Sequence, residues 1–138
     1  MSFVVLKVIL DSNMLMNFAQ KRMDVFKDIE GLLLGKTEFI ILEPVLKELE
    51  RLASNHSKTG REASLAIERI RGMQILHVSA QEGETTDGLI LRYASENQGI
   101  VATGDAELIR KARNANIPLI YLKGKSRLAL EGLEPAYR

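Results

Sequence analysis

At 138 residues, with 46% hydrophobic and 27% charged side chains, the chain has the size of one domain with a substantial core, and its formal charge of +1 gives no global pull toward nucleic acid. No apolar run reaches the length that crosses a bilayer, and no charged leader with a cleavage site precedes the first strand, so a soluble cytoplasmic protein is expected, away from membranes. The absence of cysteine excludes disulfides, thiolate metal centres and cysteine nucleophiles, which leaves carboxylates and two histidines as metal ligands.

Residues 4–10 (VVLKVIL) are β-branched and apolar, interrupted only by Lys7, and predict a buried strand. Asp11, Ser12 and Asn13 supply cap and turn chemistry ahead of helices over 14–20 and 24–34, the second closed by Gly35. Residues 39–42 predict a second buried strand. Pro44 then opens an amphipathic helix whose stripe is Val45, Leu46, Leu49, Leu52 and Ala53. A polar loop over 54–60 leads to a helix over 61–70 with Ala63, Ala66, Ile67 and Ile70 on one side. Residues 74–78 predict a short third strand, and the polar stretch 79–84 delivers Thr85, Thr86 and Asp87 into a helix that runs to Gln98 and stops at Gly99. A fourth strand over 100–102 ends in Thr103, Gly104 and Asp105. A helix over 106–114 and a fifth strand over 118–122 follow, and the tail 124–138 is too weakly periodic to assign. Strands alternating with helices predict right-handed βαβ units in a single domain, 1–138: a three-layer α/β/α sandwich with a mainly parallel, five-stranded sheet.

Open α/β sheets place their chemistry at the carboxyl ends of the strands, so acids at those positions are the first candidates. Asp11 and Asp105 each follow a buried strand and precede a helix, which fits a helix N-cap as well as a site. Asp87 shares a helical face with apolar Ile90 and Ala94. The helix dipole accounts for an acid in the first turn, but gives no reason for pointing it inward, where a carboxylate needs a cation. In the Pro44 helix, Glu48 and Glu50 lie on opposite margins of the stripe and Glu43 ends the preceding strand; periodicity does not choose among them. His56 and His77 read as a loop and a strand residue without a catalytic part. Lys123, Lys125 and Arg127 form a local basic cluster that on its own fits a solvated loop.

Taken in order, Ile9-Leu10-Asp11-Ser12-Asn13, Val45-Leu46-Lys47-Glu48-Leu49, Thr86-Asp87-Gly88-Leu89-Ile90 and Ala102-Thr103-Gly104-Asp105 resemble the four motifs of the PIN-domain nucleases over nearly the whole chain. The resemblance selects Glu48 as the fourth acid and assigns Asn13 and Thr103 to supporting positions. It looks closest to archaeal and ribosome-processing members, then to VapC-type toxins. Two departures concern a second ion: Thr86 stands where some relatives carry a further acid, and Glu107 stands where an aspartate is often found. The zinc module of some relatives is not expected without cysteine.

The resemblance implies a hydrolase acting on RNA phosphodiester bonds, with Asp11, Glu48, Asp87 and Asp105 holding one or two Mg²⁺ or Mn²⁺ ions that activate water and stabilise an in-line displacement. Lys58, Arg61, Lys125 and Arg127 are the candidate RNA contacts. The expected partners are RNA, a ribosomal precursor or an antitoxin protein, and a second copy in a homodimer. Two alternatives are a catalytically silent RNA-binding module on the same fold and a receiver-like signalling domain. The latter requires a second acid beside Asp11 and an aspartate after the third strand, where Leu76-His77-Val78-Ser79 offers none.

Overall fold

Strand β1 (Val5–Leu10) is the axis of a six-stranded sheet in a computed structural model that describes residues 4–134. In chain order there follow α1 (Ser12–Gln20), α2 (Val25–Leu32), β2 (Lys36–Leu42), α3 (Glu43–Ala53), α4 (Lys58–Ile70), β3 (Ile75–Leu76), α5 (Thr86–Asn97), β4 (Ile100–Ala102), α6 (Ala106–Asn114), β5 (Leu119–Lys123) and β6 (Arg127–Glu131). The sheet order is β3-β2-β1-β4-β5-β6, with every pairing parallel except β5 with β6.

The chain moves outward from β1 to β2 and β3, then returns to the other side of β1 for β4 and β5. With right-handed crossovers, this reversal puts α1 to α4 on one face and α5 and α6 on the other. The helix contacts follow that division: α1 packs on α2, α3 and α4, while α5 packs on α6. Val8, Ile9, Leu10, Ile40, Ile41 and Leu42 are buried because both faces of the sheet are covered, which is why these strands read as unbroken apolar runs.

Besides element ends shifted by up to three residues, as where β2 begins at Lys36, the sequence expectations differ from the structure in four places. The polar stretch 54–60 is only partly a loop, because Ser57 caps α4 by accepting a hydrogen bond from the Gly60 amide at 3.1 Å. Gly60 is already inside that helix, and a Cβ there would lie 1.9 Å from the Asn55 carbonyl oxygen, so the corner between α3 and α4 is close-packed. Strand β3 has two residues rather than five, since it pairs only with the last residues of β2. The α5 helix ends on Gln98 in the left-handed conformation (φ 54°). Gly99 serves close approach instead: a Cβ there would lie 2.3 Å from Ile9 Cδ1. Finally, part of the tail forms β6, a sixth strand turned back antiparallel on β5 through Gly124 (φ +72°). Its alternating sequence RLALE is too short to stand out by period. Residues 135–138 of the predicted tail lie outside the described residues.

Candidate active site

The register between β1 and β4 pairs Leu10 with Ala102, so the next residues, Asp11 and Thr103, emerge side by side at the carboxyl edge of the sheet. This is the point where the strand order reverses and the following helices diverge to opposite faces, which opens a crevice. A cleft of ≈ 390 Å³ occupies it. Its walls include Asp11, Glu48, Asp87 and Asp105, drawn from the start of α1, from α3, from the start of α5 and from the start of α6. Four acids from four separate stretches of sequence therefore face one space.

Asp11 is 7% exposed and Thr103 is fully buried. Asp11 Oδ1 accepts from the Ser12 amide at 2.8 Å, and Oδ2 accepts from Thr103 Oγ1 at 2.9 Å. The Thr103 hydroxyl in turn accepts from the Asp105 amide at 3.0 Å. Asn13 Oδ1 accepts from the Gly104 amide at 2.9 Å and lies 3.2 Å from Thr103 Oγ1. The hydroxyl has one proton, and the shorter, charge-assisted bond to Asp11 is its preferred use. Asp105 Oδ1 takes the amides of Glu107 and Leu108 at 2.8 and 3.0 Å. Asp11 and Asp105 are thus helix caps and cleft acids at once, since each cap occupies only part of the carboxylate.

Burial pushes the Asp11 carboxyl above its ordinary range; the Thr103 and Ser12 hydrogen bonds oppose this, and the charges of Asp87 and Asp105 add to it. Asp87 is also raised, first by burial and then by Asp105, with Lys111 opposing and Glu107 adding. Three aspartates therefore repel one another across a partly desolvated cleft. The loop ahead of Asp87 is held firmly. Glu84 receives Arg92 Nε at 2.9 Å and Nη2 at 3.0 Å, and the same Nη2 reaches the Ser79 carbonyl at 2.9 Å. Thr85 caps α5 through the Gly88 amide at 3.1 Å.

Glu48 faces the cleft, but Arg51 engages both of its oxygens at 2.8 and 3.0 Å. Glu43 pairs instead with Lys47 and His77, and neither Glu43 nor Glu50 lines the cleft. His77 falls just beyond β3 and is exposed. Glu107 stands outside the cleft wall, bound to Arg110. Lys58 and Arg61 lie in the first turn of α4, while Lys125 and Arg127 lie at the β5–β6 turn, away from the cleft wall. Sequence reasoning missed Met16, Gln20 and Leu52 as cleft residues and gave Ser12 only cap and turn chemistry. Their helical spacing from Asn13 and Glu48 was the available signal.

As the side chains stand, no group of three or more histidine, aspartate or glutamate side chains among the described residues is gathered closely enough to hold an ion. The donor set still fits a hard divalent cation: carboxylate oxygens only, with Asp11 buried beside two like charges and no basic side chain hydrogen-bonded to it.

An open, nearly parallel α/β sheet with an acid-walled cleft at its switch point is the arrangement in which such sheets bind their ligands. The family model described as PIN like domain matches residues 8–125, and the chain belongs to the PIN-domain family. It is 33% identical over 131 residues to Ribonuclease VapC4 of Methanocaldococcus jannaschii, covering 92% of this chain and 98% of that protein. It is 30% identical over 121 residues to the rRNA-processing protein FCF1 of Saccharomyces cerevisiae, covering 86% of this chain and 60% of the other. Among solved structures, the PIN domain endonuclease Utp24 superposes with a TM-score of 0.73 at 24% identity, covering 92% of each chain, which is a likeness of fold. Both of these relatives carry names tied to RNA, as the motif resemblance implies.

Proposed function

We propose that the protein is a divalent-metal-dependent endoribonuclease, with Asp11, Glu48, Asp87 and Asp105 as the ligand set. The observation that carries this reading is the convergence of those four acids on one cleft at the strand-order reversal. The ribonuclease name of the relative that aligns over nearly its full length supports the reaction class. Mg²⁺ or Mn²⁺, as one or two ions, would supply Lewis acidity at the phosphodiester and neutralise the developing charge. The chain's own part is positional: Thr103 orients Asp11, and the α6 cap orients Asp105. Arg92 and Glu84 fix the loop that presents Asp87. Glu48 joins the set by leaving Arg51. Thr86 and Glu107 add no cleft carboxylate here, which favours one tightly held ion over two.

Residues 1–138 are read as one PIN-like domain, supported by the single sheet running from β1 to β6. No helix among the described residues is long and apolar enough to cross a membrane, and a cytoplasmic protein acting on RNA is the reading adopted. Both an RNA-processing role and a toxin role paired with an antitoxin protein agree with the names of the relatives, and a neighbouring antitoxin reading frame distinguishes them. The test is cleavage of a mixed RNA panel in Mg²⁺ and Mn²⁺ by the wild type, Asp11→Asn and Asp105→Asn. Metal-dependent cleavage lost in both variants is expected. Cleavage that survives both substitutions or EDTA overturns the reading, and metal binding without cleavage points to the silent module.

A further inference from the structure

The acids do not line the whole cleft. Its other arm is made by Met16 and Gln20 from α1 and Leu52 from α3. Ser12, Met16 and Gln20 recur at every fourth residue, so one face of α1 follows the cleft for two turns, about 12 Å at 1.5 Å per residue. Glu48 and Leu52 continue the opposite wall with the same spacing. The cleft therefore grades from carboxylates to an apolar floor with an amide at its end.

We infer that this arm is a subsite for an unpaired nucleobase next to the scissile phosphate, with Gln20 reading the edge of the base and Met16 and Leu52 packing on its face. The inference rests on the ribonuclease reading and deepens it. A site that handled only the phosphate would need acids and an ion, and apolar surface beside them has no use for a sugar-phosphate backbone. It does suit the flat face of a base, and only a single strand can turn a base into a cleft while its phosphate stays at the acids. Gln20 carries a donor and an acceptor side by side, the pattern that pairs with a base edge. Its Nε2 donates to Glu62 Oε1 at a long 3.4 Å, which steadies the amide from α4 and leaves Oε1 and a second N–H for a ligand. Lys58 lies four residues before Glu62 and so shares a face of α4 with the residue that holds Gln20.

The test maps cleavage positions on a mixed single-stranded RNA panel in Mn²⁺ for the wild type, Gln20→Ala and Leu52→Ala. The wild type is expected to prefer one base near the cut. Gln20→Ala is expected to reduce that preference about tenfold, through a loss of rate on the preferred sequences. Leu52→Ala is expected to raise KM for all sequences. Unchanged relative rates in Gln20→Ala overturn the subsite, even though the ribonuclease reading stands. If the wild type cuts nothing, the ribonuclease reading fails, and binding decides the subsite independently. By fluorescence anisotropy, Asp11→Asn protein with Mg²⁺ should hold short single strands tighter than duplex, with a base preference that Gln20→Ala removes; equal binding of both forms, or a preference untouched by Gln20→Ala, overturns it.

Discussion

Thr103 Oγ1 donates to Asp11 Oδ2 at 2.9 Å, and the two residues stand 92 positions apart in the chain. The same oxygen accepts from the Asp105 amide at 3.0 Å, so one hydroxyl sets the orientation of the carboxylate that caps α1 and the backbone of the aspartate that caps α6. Thr103→Val keeps the shape and removes both bonds. A stability loss of about 1–3 kcal/mol is expected from the unpaired amide and carboxylate. Weaker Mn²⁺ binding by calorimetry should accompany it. Wild-type stability and metal affinity in this variant would show that the hydroxyl positions nothing.

Asp11→Asn should stabilise the metal-free protein. Burial and the neighbouring aspartates raise the folded-state pKa of Asp11 above the ordinary 3.8. The folded state therefore holds this proton more tightly than the unfolded chain does, and stability falls as pH climbs from about that value through the raised pKa. The amide carries no charge to desolvate, and Thr103 can turn its proton to Asn13 Oδ1 at 3.2 Å. In EDTA at pH 7 the variant should melt about 3 °C higher, the shift expected of about 1 kcal/mol in a chain of this length. The gap should close below the ordinary carboxylate range and shrink when Mg²⁺ is added. A lower melting temperature than wild type in EDTA at pH 7 would contradict this account.

Arg51→Ala should increase the affinity for Mn²⁺ severalfold. Arg51 grips both oxygens of Glu48 and places a positive charge beside the acids, so it competes with an ion both as a partner and as a like charge. Titration calorimetry at low salt measures the effect, which should fade as salt screens the exposed pair. Affinity that falls instead would mean that Arg51 presents Glu48 to the ion.

Gly60→Ala tests the corner between α3 and α4. The added methyl would meet the Asn55 carbonyl oxygen at 1.9 Å, a backbone atom that moves only with its turn. A loss of about 1–3 kcal/mol is expected in urea unfolding, as for other overpacked sites. An unchanged midpoint would show that the turn relaxes freely.

The sheet and three of the acids were legible because their signals are local. β1 and β4 are apolar runs that end in aspartate, and Asp87 interrupts an apolar helical face. The cap and site readings of Asp11 and Asp105 competed on the sequence, whereas the folded carboxylates serve both, with one oxygen of Asp105 spent on amides and the other left over. Glu48 could not be told from Glu43 or Glu50 by periodicity, because that choice depends on which flank of α3 meets α1 across the cleft. The motif resemblance supplied it. Strand β6 was not legible, because five alternating residues gain their strand character from pairing with β5. The apolar arm was overlooked for a similar reason: Met16 and Leu52 look like any core residues until the groove between two helices is seen.

The long span of chain between Asp11 and Thr103 has a consequence for how the protein comes into being on the ribosome. β1 can pair with β2 as soon as the first third of the chain has emerged, but its other neighbour, β4, and the aspartate beyond it are made much later. Until then the acid cleft lacks one wall, Asp11 has no hydroxyl to orient it, and the nascent chain carries no assembled site. On the ribonuclease reading, the chain is therefore without its assembled site while it is still being translated.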